Sequence, residues 1–220
     1  MRVICVKWGN KYSAEYVNKL YGMVSRHAPE SFEFICLTED SKGINHNIKT
    51  IPFPADNDYE LWWNKMYMFD MFNDGTKNLY FDLDVVIHDS LDFFWQHEPK
   101  LPTVIKSRWN EHAFRKFEKN DTLINSSVVL WYDTSHIWNK FKTDQEKYMS
   151  IYKGIDRFIW NENIEFDVFP PGHIYSYWKG VDSNDREQQK YREGYSVCIL
   201  NHKPKPHEMK DSWIQNYWVE

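Results

Sequence analysis

The stretch LYFDLDVVIH, residues 79–88, places Asp82 and Asp84 inside an apolar, β-branched run. Ionised carboxylates are costly to desolvate, so a strand that keeps two of them needs a reason. Read as one strand over 79–87, the run puts Asp82 and Asp84 on a face with Tyr80 and Val86. Leu79, Phe81, Leu83, Val85 and Ile87 take the other face. A strand apolar on both sides belongs to the interior of an α/β sheet, with its acids at a cleft. Side chains two apart on a strand lie about 6–7 Å from each other, and two like charges there repel by about 2–3 kcal/mol at an effective dielectric of about 20. A divalent cation removes that cost. The bland alternative is a strand end whose acids meet solvent or neighbouring Lys and Arg.

Upstream, strand and helix patterns alternate. RVICVK (2–7) is a short apolar strand. SAEYVNKLYGMVSRH (13–27) places Tyr16, Val17, Leu20, Met23 and Val24 on one helical stripe, with Ser13 positioned to cap it. FEFICLT (32–38) is the next strand, KTIPFP (49–54) is extended, and LWWNKMYMFDMF (61–72) is a helix that NDG breaks. The order β-α-β-β-α-β predicts an α/β sheet with helices on its faces. Ligands of such sheets sit at the carboxyl ends of the strands, where HDSLDFF (88–94) restarts as a turn and short helix. Downstream, PTVIK (102–106) and INSSVVLW (124–131) read as strands and TSHIWNKFKTDQEKYMSIY (134–152) as one long helix. Short aromatic strands, a polar loop (180–194) and SVCIL (196–200) follow. No linker or repeat divides the chain, so 1–220 is expected to be a single domain.

Composition narrows the function classes. A net charge of −5 argues against a nucleic-acid partner, which usually meets a basic patch. Aromatic residues reach 18%, including 11 Trp; most of these belong in a core, and the rest suit surfaces that stack on bases or sugar rings. Cys5, Cys36 and Cys198 each lie in an apolar run, which favours buried reduced thiols. No window approaches the ~18 apolar residues of a membrane span. MRVICVKW turns polar too soon for a signal peptide, so the chain reads as soluble and cytoplasmic.

FDLDVVI, following about 80 residues of nucleotide-binding-like unit, resembles the D-x-D motif of glycosyltransferases with the GT-A fold. The resemblance runs over most of the chain and is nearest to the glycogenin-like and bacterial galactosyltransferase-like group. VKWGNKYSAEYVNKLY looks like that group's first strand and base-cradling loop, and CLTED like its second strand end. INSSVVLW is similar to its N-[SA]-G strand with Ser127 in place of Gly, and GIDR resembles its G-D-Q segment. NHKPKPHE resembles its C-terminal His-Lys-Pro element in shortened form.

The resemblance implies a Rossmann-like GT-A domain with a mixed central sheet. Residues 1–90 would form its nucleotide-binding half and 91–220 its sugar and acceptor half. It implies a metal-dependent glycosyltransferase that uses a nucleotide-diphosphate sugar, a UDP-sugar first, and a glycan or other hydroxyl acceptor. Mn2+ or Mg2+ would be held by Asp82, Asp84 and His202. Lys205 and Lys203 would hold the diphosphate, and Asp82 would be shared with the ribose. Val6, Lys7, Trp8, Tyr12, Thr38 and Asp40 would surround the nucleoside, with Lys65 reaching the donor. Asn125, Ser126 and Asp156 would face the sugar, Asp156 as a possible catalytic carboxylate. Two rivals are weighed against this. A haloacid-dehalogenase-like phosphatase would use Asp82 as nucleophile and Asp84 as general acid, with GVDSND as its distant acidic motif. A non-catalytic sugar-binding module would account for the aromatic residues but leaves the two acids without a task.

Overall fold

Four parallel strands build the half of the sheet that carries the two acids. In the computed structural model, which describes residues 1–113, 121–182, 184–185 and 190–220, β1 (Arg2–Lys7) leads through α1 (Ala14–His27) to β2 (Glu33–Thr38) and β3 (Lys49–Ile51). A 3-10 turn (Leu61–Lys65) and α2 (Met66–Met71) then deliver β4 (Asn78–Phe81) to the other side of β1. Further along come β5 (Val85–Ile87), α3 (Asp92–Gln96), β6 (Thr103–Lys106) and β7 (Ile124–Trp131). The helices α4 (Ser135–Lys142), α5 (Gln145–Ile151) and α6 (Ile155–Asn161) follow. The chain closes with β8 (Asp167–Val168), β9 (Ile174–Ser176), β10 (Val197–Ile199) and α7 (Ser212–Tyr217).

The large sheet has the order β3-β2-β1-β4-β7-β6-β8. β7 runs antiparallel to both β4 and β6, so the sheet is mixed, as expected. Alternation along its strands sorts the core onto two faces. Val3, Cys5, Leu79 and Phe81 pack on Val17, Leu20 and Met23 of α1. Ile4, Val6, Tyr80 and Val129 pack on α2, α4 and α6 through Met66, Phe69, Phe141 and Phe158. Fully burying each Val, Leu, Ile, Phe or Met among these contributes about 1.5–3 kcal/mol. The three cysteines are buried and free.

The run 79–87 is not one strand. It ends in the large sheet at Phe81 and resumes at Val85 in a second sheet of order β5-β10-β9. The backbone N–H of Asp82 makes the last bond to the large sheet, donating to the Ser127 carbonyl at 2.8 Å. The Asp84 carbonyl makes the first bond to the small one, accepting from Leu200 N–H at 3.1 Å. The two acids therefore occupy the step between sheets, and their shared position follows from that turn rather than from strand parity.

Two helices also depart from expectation. The segment 61–72 begins as a 3-10 turn, and 134–152 breaks where Asp144 caps α5 by accepting from Lys147 N–H at 3.3 Å. Ser13 stands at the N-cap of α1, but its side chain makes no capping bond. The helices α6 and α7 lack a strong periodic signal in the sequence. Within the polar loop 180–194, residues 183 and 186–189 lie outside the described residues.

Candidate functional site

The strand order reverses at β1, with β2 and β3 on one side and β4 on the other. Ligands of open α/β sheets bind in the crevice at such a switch point. A cavity of about 230 Å3 lies there. Val6, Trp8, Lys11 and Tyr12 come to it from the end of β1 and its loop, and Trp62 and Lys65 from the 3-10 turn. Tyr80, Asp82, Leu83 and Asp84 come from the step between sheets, Asn125 and Ser127 from β7, and Asn201 and Lys205 from the loop after β10.

Each acid is held by one lysine and one tyrosine, and Asp82 by Ser127 as well. Lys65 Nζ and Tyr80 O–H both donate to Asp82 Oδ1, each at 2.5 Å. Lys205 Nζ donates to Asp84 Oδ2 at 2.5 Å and Tyr12 O–H donates to the same oxygen at 2.8 Å. The Lys205 ammonium is anchored further by the Leu200 carbonyl at 2.7 Å. Burial works against the Asp82 charge. The Lys65 ammonium and the hydrogen bonds from Lys65, Tyr80 and Ser127 outweigh it, holding the carboxyl below its ordinary value. Burial, reinforced by the neighbouring Asp84, pushes the Tyr12 phenol well up, so it stays a donor. Burial also lowers Lys11, against the pull of Asp84.

The remaining sequence candidates fall elsewhere. Ser126 is buried with its N–H on Asp156 Oδ1 at 3.0 Å, and neither lines the cavity; alternation along β7 gives that place to Asn125 and Ser127. Burial raises the Asp156 carboxyl, opposed by Lys65 and by the Ser126 bond. Thr38 and Asp40 close on each other: the threonine hydroxyl accepts from Asp40 N–H at 3.2 Å and donates to its carbonyl at 3.0 Å. That is turn chemistry, and neither residue reaches the cavity. Lys7 is buried at the end of β1, off the cavity. His202 and Lys203 are exposed and off it too. Among the described residues, no three His, Cys, Asp or Glu side chains form a group that could hold a metal, so the set Asp82, Asp84 and His202 is not preassembled.

Lys11, Trp62, Tyr80, Leu83, Ser127 and Asn201 complete the cavity wall, and the sequence pattern alone does not mark them as site residues. Asn201 and Lys11 stand inside the NHKPKPHE and VKWGNKYSAEYVNKLY motifs, next to His202 and Tyr12. The Tyr12 ring is flanked by Tyr16, 4.7 Å between centroids, and by Lys11 Nζ at 4.8 Å. Trp8 also borders a wider cleft of about 640 Å3, where Glu39, Phe53, Tyr59, Glu60 and Leu61 stand and no lysine or arginine does.

The acidic pair that a phosphatase would need does not reach Asp82. Asp182 and Asp185 lie off the cavity, and Asp185 bonds Arg192 and the Val181 N–H.

No protein-family model matches the chain, and no curated protein matches it in sequence. Solved structures do match in shape. Two crystal structures of LgtC superpose with TM-scores of 0.69 and 0.68, covering 99% of this chain and 94% of theirs. One is an active-site mutant and the other a galactosyltransferase complex with donor and acceptor sugar analogues, at 15% and 16% identity. The glycosyltransferase GlyE of Streptococcus pneumoniae gives 0.64 at 11% identity, over 99% of this chain and 60% of its own. The chain has the GT-A-like fold of these glycosyltransferases.

Proposed function

We propose that the protein is a glycosyltransferase that moves a sugar from a nucleoside-diphosphate donor, a UDP-sugar, to a hydroxyl acceptor. The observation that carries this reading is the convergence of Lys11, Lys65 and Lys205 with Asp82 and Asp84 in one cavity at the switch point. Lysine ammonium groups are point charges suited to phosphate oxygens. Trp8 and Tyr12 supply aromatic faces for a base, and Asn125 and Ser127 supply polar groups for the sugar. The wider cleft beyond Trp8 carries aromatic faces and carboxylates, which suits an uncharged hydroxylic acceptor better than a phosphate.

A divalent cation fits the donor set. Asp82 and Asp84 offer hard oxygen ligands in one cavity, the usual protein share for Mg2+ or Mn2+ that also binds substrate phosphates. Those two residues would hold it, without His202. When bound, the ion would supply Lewis-acid stabilisation of the departing diphosphate. The chain's own part is charge: Lys65 and Lys205, which line the same cavity, would meet the negative charge that develops on the leaving group.

Thermal unfolding with UDP and Mn2+ tests the reading. Ligand at 100 times Kd stabilises by about 2.7 kcal/mol. For a chain of this size that is about 5–10 °C in Tm. The shift should need both UDP and Mn2+ and vanish in Asp84→Asn. Glycan binding indifferent to nucleotide and metal would instead favour the sugar-binding module.

A further inference from the structure

The two carboxylates that would take a cation are each paired with a lysine in the free protein. Both Asp82 bonds from Lys65 and Tyr80 land on Oδ1, and both Asp84 bonds from Lys205 and Tyr12 land on Oδ2. Two carboxylates and three lysines line the space, which gives its lining a formal charge of +1. A divalent cation arriving alone meets net positive charge and carboxylates already paired with ammonium groups. A diphosphate arriving alone meets the right sign. It can draw the ammonium groups onto its own oxygens, since each Lys has three donors on a flexible stem. Drawing them away leaves Asp82 and Asp84 unpaired beside further negative charge, and that combination attracts a cation strongly.

We propose that Lys65 and Lys205 are exchange groups: they neutralise Asp82 and Asp84 until a diphosphate takes them over, so that cation and nucleotide bind as one cooperative unit. This rests on the donor reading above and adds a binding order and two residues that set it. Coupling of this kind is reciprocal, because each ligand must tighten the other by the same factor. Lys205 Nζ is held by Asp84 and the Leu200 carbonyl together, across 121 residues of sequence in the first bond.

The test is the Kd of Mn2+ itself, read from the electron paramagnetic resonance of the free ion, with and without saturating UDP. In the wild type, UDP should tighten Mn2+ at least tenfold, within the about 5–150-fold span of ordinary coupling. Lys205→Met should bind Mn2+ alone at least fivefold tighter than the wild type, Lys65→Met should do the same, and Lys205→Arg should restore the wild-type behaviour. Circular dichroism establishes that each variant is folded. Wild type that binds Mn2+ equally well with and without UDP overturns the exchange and leaves the donor reading intact. Methionine variants with unchanged Mn2+ affinity do the same. Absence of UDP binding in every combination removes the donor reading, and the exchange with it.

Discussion

Asp156 stands behind the cavity and holds its wall. Its Oδ1 accepts the Ser126 N–H at 3.0 Å, and this fixes the stretch of β7 from which Asn125 and Ser127 reach the site. Asn125 adds a local brace by accepting the Ser127 N–H at 3.0 Å. A buried N–H left without an acceptor costs about 1–3 kcal/mol. Asp156→Ala should therefore lose about that much unfolding free energy, read as a lower urea midpoint with an unchanged slope. Asp156→Asn keeps an acceptor of the same shape and should lose far less. Equal losses in the two variants would mean that the carboxylate charge, not the hydrogen bond, does the holding. The same comparison separates positioning from chemistry: if Asp156 acts only through β7, the asparagine variant keeps its affinity for UDP.

At the scale of elements, the start of α6 decides how the 3-10 turn meets the site. Gly154 precedes this helix with φ 108° and ψ 170°, a region nearly closed to L-residues. A Cβ there would also stand 3.2 Å from the indole of Trp62, which lines the cavity. Gly154→Ala should cost about 1–3 kcal/mol in stability and shift Trp62, so its Tm should fall by several degrees and its tryptophan emission should change. A variant as stable as the wild type with unaltered fluorescence would show that the turn absorbs the strain. Periodicity in the sequence located β1, α1, β2, β6 and β7, because each buries one regular pattern against a neighbour. It missed the break at Asp82–Asp84 for a physical reason: β4 and β5 are both buried on two sides, so the β-branched run continues across a step between sheets. The cavity was legible where one short motif supplies several groups, as with Asp82 and Asp84 or Trp8 and Tyr12. Pairings such as Tyr12 with Asp84, 72 positions apart, belong to the tertiary fold and leave no local mark.

For the whole molecule, His88 joins the small sheet to the C-terminal helix and makes that junction sensitive to acid. It is 2% exposed, at the end of β5, with Tyr191, Trp213 and Tyr217 around its ring. Its Nε2 meets the Tyr175 hydroxyl at 3.2 Å, while Nδ1 is buried with no partner among the described residues. Burial, against the weaker pull of Asp89, pushes its pKa down from 6.5 to about 4. The folded state keeps the ring neutral where the unfolded chain would protonate it. This contribution is therefore complete above pH 6.5 and is lost as the pH falls toward 4. Between pH 7.5 and pH 4.5 the loss comes to about 2–3 kcal/mol. His88→Phe fills the same aromatic nest without a titrating group. Its unfolding free energy, from urea titrations at the two pH values, should drop by about 2–3 kcal/mol less than that of the wild type. Carboxylates elsewhere titrate alike in both proteins and cancel in the difference, so parallel pH–stability curves would place the acid sensitivity outside this junction.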